Sequence, residues 1–130
     1  MILKNFRTLI VNSKEKGDRG EKIAAEYLTE KGYTIIERNF RSKWGEIDIV
    51  AVKADSLSFI EVKSWNKYSD SELEYSINRG KKNRIIKTAK VFLNRNPLYY
   101  KKRPAFDVIY LGEKDGQIRH IESAFRGEEI

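Results

Sequence analysis

The residues of this chain with the clearest chemical content are two acids and a lysine on adjacent candidate strands. Residues Leu57-Ser58-Phe59-Ile60-Glu61-Val62-Lys63 read as a strand that places Leu57, Phe59, Glu61 and Lys63 on one face. Gly45 to Val52 read as the strand before it, with Ile47, Ile49 and Ala51 on a common face. If Lys53 to Ser56 make the turn, Val52 stands opposite Leu57. Counting back then sets Asp48 opposite Glu61 and Glu46 opposite Lys63. Opposed side chains have Cβ atoms about 4.5–5.5 Å apart, and two carboxylates so placed repel unless a cation lies between them. A divalent metal is such a cation. Carboxylates together with a backbone carbonyl, here that of Val62, suit Mg²⁺ or Mn²⁺. Lys63 lies two residues after Glu61 and shares its face. An ammonium beside a metal-bound phosphate can orient the attacking water or stabilise charge in the transition state. Asp48, Glu61, Val62 and Lys63 therefore supply the parts of phosphodiester hydrolysis.

A fourth group comes from the first helix, which we expect over about Arg19 to Lys31. At about 100° per residue, Gly20, Ile23, Ala24, Ala25, Tyr27 and Leu28 fall on one broad arc. Glu21 falls inside that arc. A carboxylate on an apolar face costs several kcal/mol unless paired or metal-bound. Glu21 is thus a candidate catalytic acid and a further ligand of the same site, directly or through water. Simpler readings stand beside these. Glu46 and Lys63 can form a plain cross-strand ion pair, and Asp48 and Glu61 can pair with basic residues from elsewhere in the chain.

The elements that must position these groups follow from hydrophobic spacing. After the first helix, stopped at Gly32, we expect a short strand at Tyr33 to Ile36 and a polar loop at Glu37 to Lys43. Beyond the hairpin come a polar loop from Ser64 to Asp70 and a helical region from about Glu72 to Asn94, with Gly80 as a candidate break. Ile85, Ile86, Ala89, Phe92 and Leu93 form the buried arc of that region. An irregular basic loop is bracketed by Pro97 and Pro104. Strands follow at Phe106 to Leu111 and Gln117 to Ile121, around a turn at Glu113 to Gly116. The order predicts an α/β sandwich with a mixed sheet flanked by helices. We expect one domain over 15–130, preceded by an arm over 1–14. The apolar start of that arm is interrupted by Lys4 and Arg7 and has neither the cleavage site of a signal peptide nor the length of a membrane span.

The 130 residues carry a net charge of +7, which points to an anionic partner. The charge is concentrated. The stretch from Arg79 to Arg103 contains basic residues and no acidic one, and the rest of the chain is net negative. Such a stretch is either a solvated helix face or a surface for phosphates. On the second reading Lys81, Lys82, Arg84 and Lys87 contact nucleic acid, joined by Arg41 and Lys43 from the loop before the Asp48 strand. The chain has no cysteine, which removes disulfides, thiolate metal sites and cysteine nucleophiles and fits the cytoplasmic location we expect. The single histidine, His120, and Asp107 read as structural. Trp44 and Trp65 flank the acidic strands and read as packing residues, with stacking on a base as the other use.

An ordered set of motifs carries a family resemblance. It comprises Gly17-x-x-Gly20-Glu21, Ala24-Ala25-x-Tyr27-Leu28, Gly32-Tyr33 and Glu37-Arg38-Asn39-Phe40-Arg41, followed by Gly45-Glu46-Ile47-Asp48-Ile49-Val50 and Phe59-Ile60-Glu61-Val62-Lys63. Ile77 with Lys81, Phe106-Asp107-Val108-Ile109 and Ala124-Phe125 complete it. The chain resembles the YraN family of small bacterial proteins over nearly its whole length. That resemblance implies a restriction-endonuclease-like three-layer sandwich, similar to archaeal Holliday-junction resolvases. It implies that Asp48 and Glu61 bind metal, that Lys63 is the catalytic lysine, that Glu21 is the acid of the first helix, and that Lys81 lies near DNA. It also implies DNA as partner, with branched or single-stranded DNA as candidate substrates and a homodimer as a candidate assembly, while the reading of the N-terminal segment leads us to expect no membrane partner. The chain departs from the family pattern at Trp65 and Ala105, where many relatives carry Arg; Arg103 is a candidate spatial substitute for the second.

Three function classes follow. The first is a Mg²⁺- or Mn²⁺-dependent DNA endonuclease. The second is a nucleic-acid-binding module of the same fold that cuts nothing alone. The third is a protein whose basic helix docks on an acidic partner.

Overall fold

The computed structural model describes residues 13–64, 77–112, 114 and 116–127. Most of the N-terminal arm, most of the loop over Ser64 to Asp70 including Trp65, and the expected start of the second helix at Glu72 lie outside the described residues.

The first helix, α1, spans Ser13–Glu30, so it begins earlier than its apolar spacing suggests and takes in the last residues of the expected arm. Ala24 and Leu28 are fully buried, whereas Ile23, expected on the same arc, is 41 % exposed. The helix ends as Gly32 foresees. Gly32 takes φ +94°, its N–H donates to the Thr29 carbonyl (3.1 Å), and the Tyr33 N–H donates to the Leu28 carbonyl (2.9 Å). The chain turns directly into β1, Thr34–Ser42. This strand runs straight through the segment expected to be a polar loop. It is an edge strand with mostly exposed or half-buried residues, so it has little apolar alternation to betray it.

A two-residue turn, Lys43-Trp44, leads to β2, Gly45–Lys53, and a second one, Ala54-Asp55, leads to β3, Ser56–Ser64. The hairpin register is the expected one, with Val52 opposite Leu57 and Ile49 opposite Ile60. The second helix, α2, spans Arg79–Arg95. Asn78 caps it by accepting from the Lys81 N–H (2.9 Å), so Gly80 belongs to the first turn and breaks nothing. A 3₁₀ turn at Pro97–Tyr99 precedes β4, Arg103–Leu111, which already contains Pro104. The last strand, β5, spans Ile118–Phe125.

The strands form one sheet in the order β1-β2-β3-β4-β5, antiparallel except for the parallel β3–β4 pair. Each helix covers one face. Against α1 lie Ile49, Ala51, Ile60 and Ile109. Against α2 lie Phe40, Val50, Leu57, Phe59, Phe106 and Tyr110, with Phe92 of the helix in edge contact with Phe40 and Phe59. The result is the expected three-layer α/β sandwich with a mixed sheet.

One expectation fails at a place that matters. Ile47 does not share a face with Ile49 and Ala51; it packs on the α2 side, and they pack on the α1 side. Alternation is broken between Ile47 and Ile49, at Asp48. On β1, Asn39 lies between the partners of those two residues and takes φ +55°, a left-handed conformation that Asn tolerates. The two strands change face together at this point.

Candidate functional site

The irregularity at Asp48 is also where β2 and β3 part. Their pairing stops at Ile49 opposite Ile60. The Val62 N–H donates instead to Asp48 Oδ2 at 2.8 Å. Asp48 is thereby held by the backbone of the Glu61 strand. The contact uses the Val62 N–H, whereas the sequence pointed to its carbonyl. Beyond the end of the hairpin pairing, Glu46 and Lys63 are not ladder partners. Glu46 pairs with Arg41 on β1 (3.1 Å), and Lys63 stands in register with Tyr110 of β4.

Three carboxylates come together here. Glu21, Glu46 and Asp48 each place an oxygen within 4.8 Å of the others, a grouping that could hold a metal ion. Glu21 reaches it because α1 lies close on the sheet: a Cβ at Gly20 would stand only 3.2 Å from Leu111 Cδ1, so the adjacent glycine permits the approach. Glu21 is 9 % exposed, and its Oε1 is buried with no hydrogen-bond partner. Among the described residues it forms an ion pair with the partly exposed Arg38 guanidinium, 3.8 Å away. The orphaned oxygen and the all-oxygen donor set suit a hard divalent cation. Glu61 does not join this closest group, although its charge is felt by Asp48.

The electrostatics record the crowding. Burial pushes the Asp48 carboxyl up, the Glu61 charge pushes it further, and the Val62 N–H only partly offsets them, leaving it at about 7. Glu21 is raised as well, first by burial, with Arg38 and Asn39 opposing and Glu46 adding. On the α2 side of the site, Lys81 Nζ lies 2.6 Å from Glu61 Oε1. Burial would depress the Lys81 ammonium, but its hydrogen bond to Glu61 and the Glu61 charge hold it above the ordinary lysine value. Lys63 moves the other way, lowered by burial and then by the neighbouring Lys81 charge. The two lysines are therefore unequal: one is a fixed cation, and the other holds its proton less tightly.

Lys81, expected at the DNA surface, thus belongs to the acidic site itself. Only the structure reveals this, because the helix start that positions Lys81 depends on the Asn78 cap. The signals for Glu46 and Asn39 were present in the sequence, as an acid two residues before Asp48 and a turn-forming residue inside a strand. The remaining basic candidates are dispersed. Arg84 and Lys87 are exposed along α2, and Lys82 lies 5.6 Å over the Phe125 ring. Lys43 and Lys87 both approach the Trp44 ring, at 4.9 and 4.3 Å.

Asp107 lies in a bulge between β4 and β5 and in register with Ile60 of β3. It is 2 % exposed; its carboxylate bonds His120 Nε2 (2.8 Å) and accepts from the Ser123 N–H (2.9 Å). Tyr27 meets the other ring nitrogen at 3.3 Å. These contacts tie α1 and β5 to the sheet.

Among the described residues, no helix is long and apolar enough to cross a membrane. Comparison with known proteins adds one consistent result. The model of the uncharacterised protein family UPF0102 matches residues 20–111. The chain is 45 % identical to a UPF0102 protein of Treponema denticola, with 84 % of this chain and 93 % of that one covered. It is 44 % identical to one of Clostridioides difficile, covering 88 % of this chain and all of the other. A third, from Caldanaerobacter subterraneus, is 37 % identical over 88 % of this chain and 98 % of its own length.

Proposed function

The chain belongs to the uncharacterised protein family UPF0102, and for this member we propose a Mg²⁺- or Mn²⁺-dependent DNA endonuclease of the restriction-endonuclease type. One observation carries the reading. Three carboxylate oxygens lie within 4.8 Å of one another, and one of the three acids, Glu21, has a buried oxygen without a hydrogen bond. Arg41 and Arg38 offset Glu46 and Glu21 from partly exposed positions, and a divalent ion among the three oxygens would balance the group as a whole.

Asp48, Glu46 and Glu21 would hold the ion. Glu61 would approach with the oxygen that it does not commit to Lys81. When bound, the ion would polarise the phosphate and lower the proton affinity of a nucleophilic water. The chain's own groups account for the rest. Lys81 fixes the Glu61 carboxylate. Lys63, whose proton is loosened by burial and by Lys81, takes up or returns a proton beside the reacting phosphate and steadies the charge that grows there. Val62 keeps the Asp48 carboxylate turned toward the gap between the strands. The exposed Arg84 and Lys87 attract the DNA backbone through the excess positive charge of α2. A cytoplasmic setting suits both the substrate and a chain without cysteine.

The test is hydrolysis of branched, single-stranded and duplex DNA by purified protein, with Mn²⁺, Mg²⁺ or chelator. Cutting that needs the metal and disappears in Asp48→Ala is the expected result. DNA binding with a steep salt dependence but no cutting would favour a binding module of the same fold.

A further inference from the structure

The β1–β2 turn carries an indole that the core does not use. Trp44 stands at the tip of the hairpin and is 38 % exposed. A large aromatic at a turn normally folds back under a loop, because leaving it in water forfeits its hydrophobic burial. At Trp44 the covering is incomplete, and more than a third of the residue stays in contact with water. The turn is fastened to α2 beneath it. The Trp44 N–H donates to Ser42 Oγ (3.0 Å), and Ser42 Oγ meets Thr88 Oγ1 (3.0 Å). Thr88 is fully buried and donates to the Arg84 carbonyl (2.8 Å), so its proton is already committed and Ser42 is the donor between the two hydroxyls. Gly45 follows with φ +149°, and a Cβ there would stand 3.8 Å from Arg84 Cβ. The indole is therefore anchored at its backbone while part of its surface stays open.

Two ammonium groups accompany the ring, Lys87 at 4.3 Å and Lys43 at 4.9 Å from its centroid. A ring flanked by cations is complementary to a nucleotide, which brings an aromatic base and an anionic phosphate on one unit. As a base approaches, it can replace an ammonium on the ring face, and the displaced ammonium can move to the phosphate. An acidic protein surface would satisfy the lysines but leave the indole in water, so nucleic acid is the better fit. Bases in an intact duplex are stacked on both faces, and exposing one costs unstacking energy. An unpaired base has a face to offer.

We propose that Trp44, with Lys43 and Lys87, is a seat for an unpaired nucleobase that selects single-stranded, flapped or branched DNA. Only the idea that this seat serves a cleavage site rests on the nuclease reading above. Glu46 lies two residues further along the chain, about 7 Å at the rise of an extended strand. The seat therefore lies at the same end of β2 as the acidic group.

Fluorescence anisotropy of labelled oligonucleotides, in chelator so that nothing is cut, tests the seat. The native protein, Trp44→Ala and Trp44→Phe are each titrated with oligo-dT and with a blunt duplex; thermal melts of the three proteins verify folding. Trp44→Ala should weaken oligo-dT binding about 5- to 100-fold, the effect of removing one stacking ring, and change duplex binding less than about twofold. Trp44→Phe should recover most of the loss, because a phenyl ring still stacks. Equal weakening on both substrates, no weakening, or a Phe variant as poor as the Ala variant would overturn the proposal. Failure of metal-dependent cleavage would leave these binding results intact, so the two readings can fail separately.

Discussion

Replacing Asp48 by Asn should make the metal-free protein more stable, because the residue is kept for charge rather than for packing. Asparagine retains the shape and a carbonyl oxygen to accept from the Val62 N–H, and it removes one member of the carboxylate group. Charges 4.8 Å apart interact by about 3.5 kcal/mol at an effective dielectric constant of about 20. The protein escapes part of this by taking up a proton: burial and the charge of Glu61 raise the Asp48 carboxyl from 3.8 to about 7. An acid whose folded-state value lies above its unfolded value adds stability fully below the unfolded value. It loses that contribution as pH rises through the folded one. For Asp48 the loss falls between about pH 4 and pH 8 and has an upper bound of about 4 kcal/mol. Relaxation and water entry reduce this, so Asp48→Asn should gain about 1–3 kcal/mol at pH 8, or roughly 4–12 °C in Tm. At pH 5 the gain should fall to less than half, because native Asp48 is then mostly protonated while the carboxyl of the unfolded chain is still ionised, and it should vanish only below about pH 4. Saturating Mn²⁺ at pH 8 should stabilise the native protein and do little for the variant. Differential scanning calorimetry at both pH values, with and without Mn²⁺, reads all four quantities. A variant less stable than native at pH 8, or a gain of the same size at pH 5, would refute the electrostatic argument.

Further outcomes follow from the same structure. Lys63→Met should lower metal-dependent cleavage by at least about 100-fold and leave Mn²⁺ affinity within about threefold, as isothermal titration and single-turnover kinetics would show. Arg84→Ala with Lys87→Ala should reduce the slope of log affinity against log salt on duplex DNA by up to about 0.9 per residue, measured by anisotropy between low and moderate salt. Phe92→Ala removes the ring between Phe40 and Phe59 and should cost about 3–5 kcal/mol in urea unfolding. Asp107→Ala strands the His120 Nε2 and Ser123 N–H groups and should cost about 2–4 kcal/mol by the same measurement, while Mn²⁺ affinity is retained.

The β2–β3 hairpin was legible because its turn is short and its apolar residues alternate, so Val52 could be set against Leu57 by counting. The same counting failed at Ile47. Alternation presumes an unbroken strand, and the chain breaks it where Asp48 replaces backbone pairing with a side-chain bond to Val62. The helix harbouring Glu21 was visible from Ala24 and Leu28, but its first turns were not, since their polar residues have no apolar period. The second half of β1 was hidden for a related reason: an edge strand exposes its side chains and can be as polar as a loop. Lys81 was placed outside the site because its position depends on where α2 begins, and the Asn78 cap fixes that start. The site was therefore legible as a set of residue types, while its closest grouping, Glu21 with Glu46 and Asp48, required the geometry of α1 over the sheet.

The most direct measurement is an anomalous diffraction map from crystals of the native protein soaked in millimolar Mn²⁺. A manganese peak is expected about 2.0–2.3 Å from carboxylate oxygens of Glu21, Glu46 and Asp48, with Glu61 beside it. Three acids left bare at that concentration, or manganese bound only at some other surface, would contradict a metal site there.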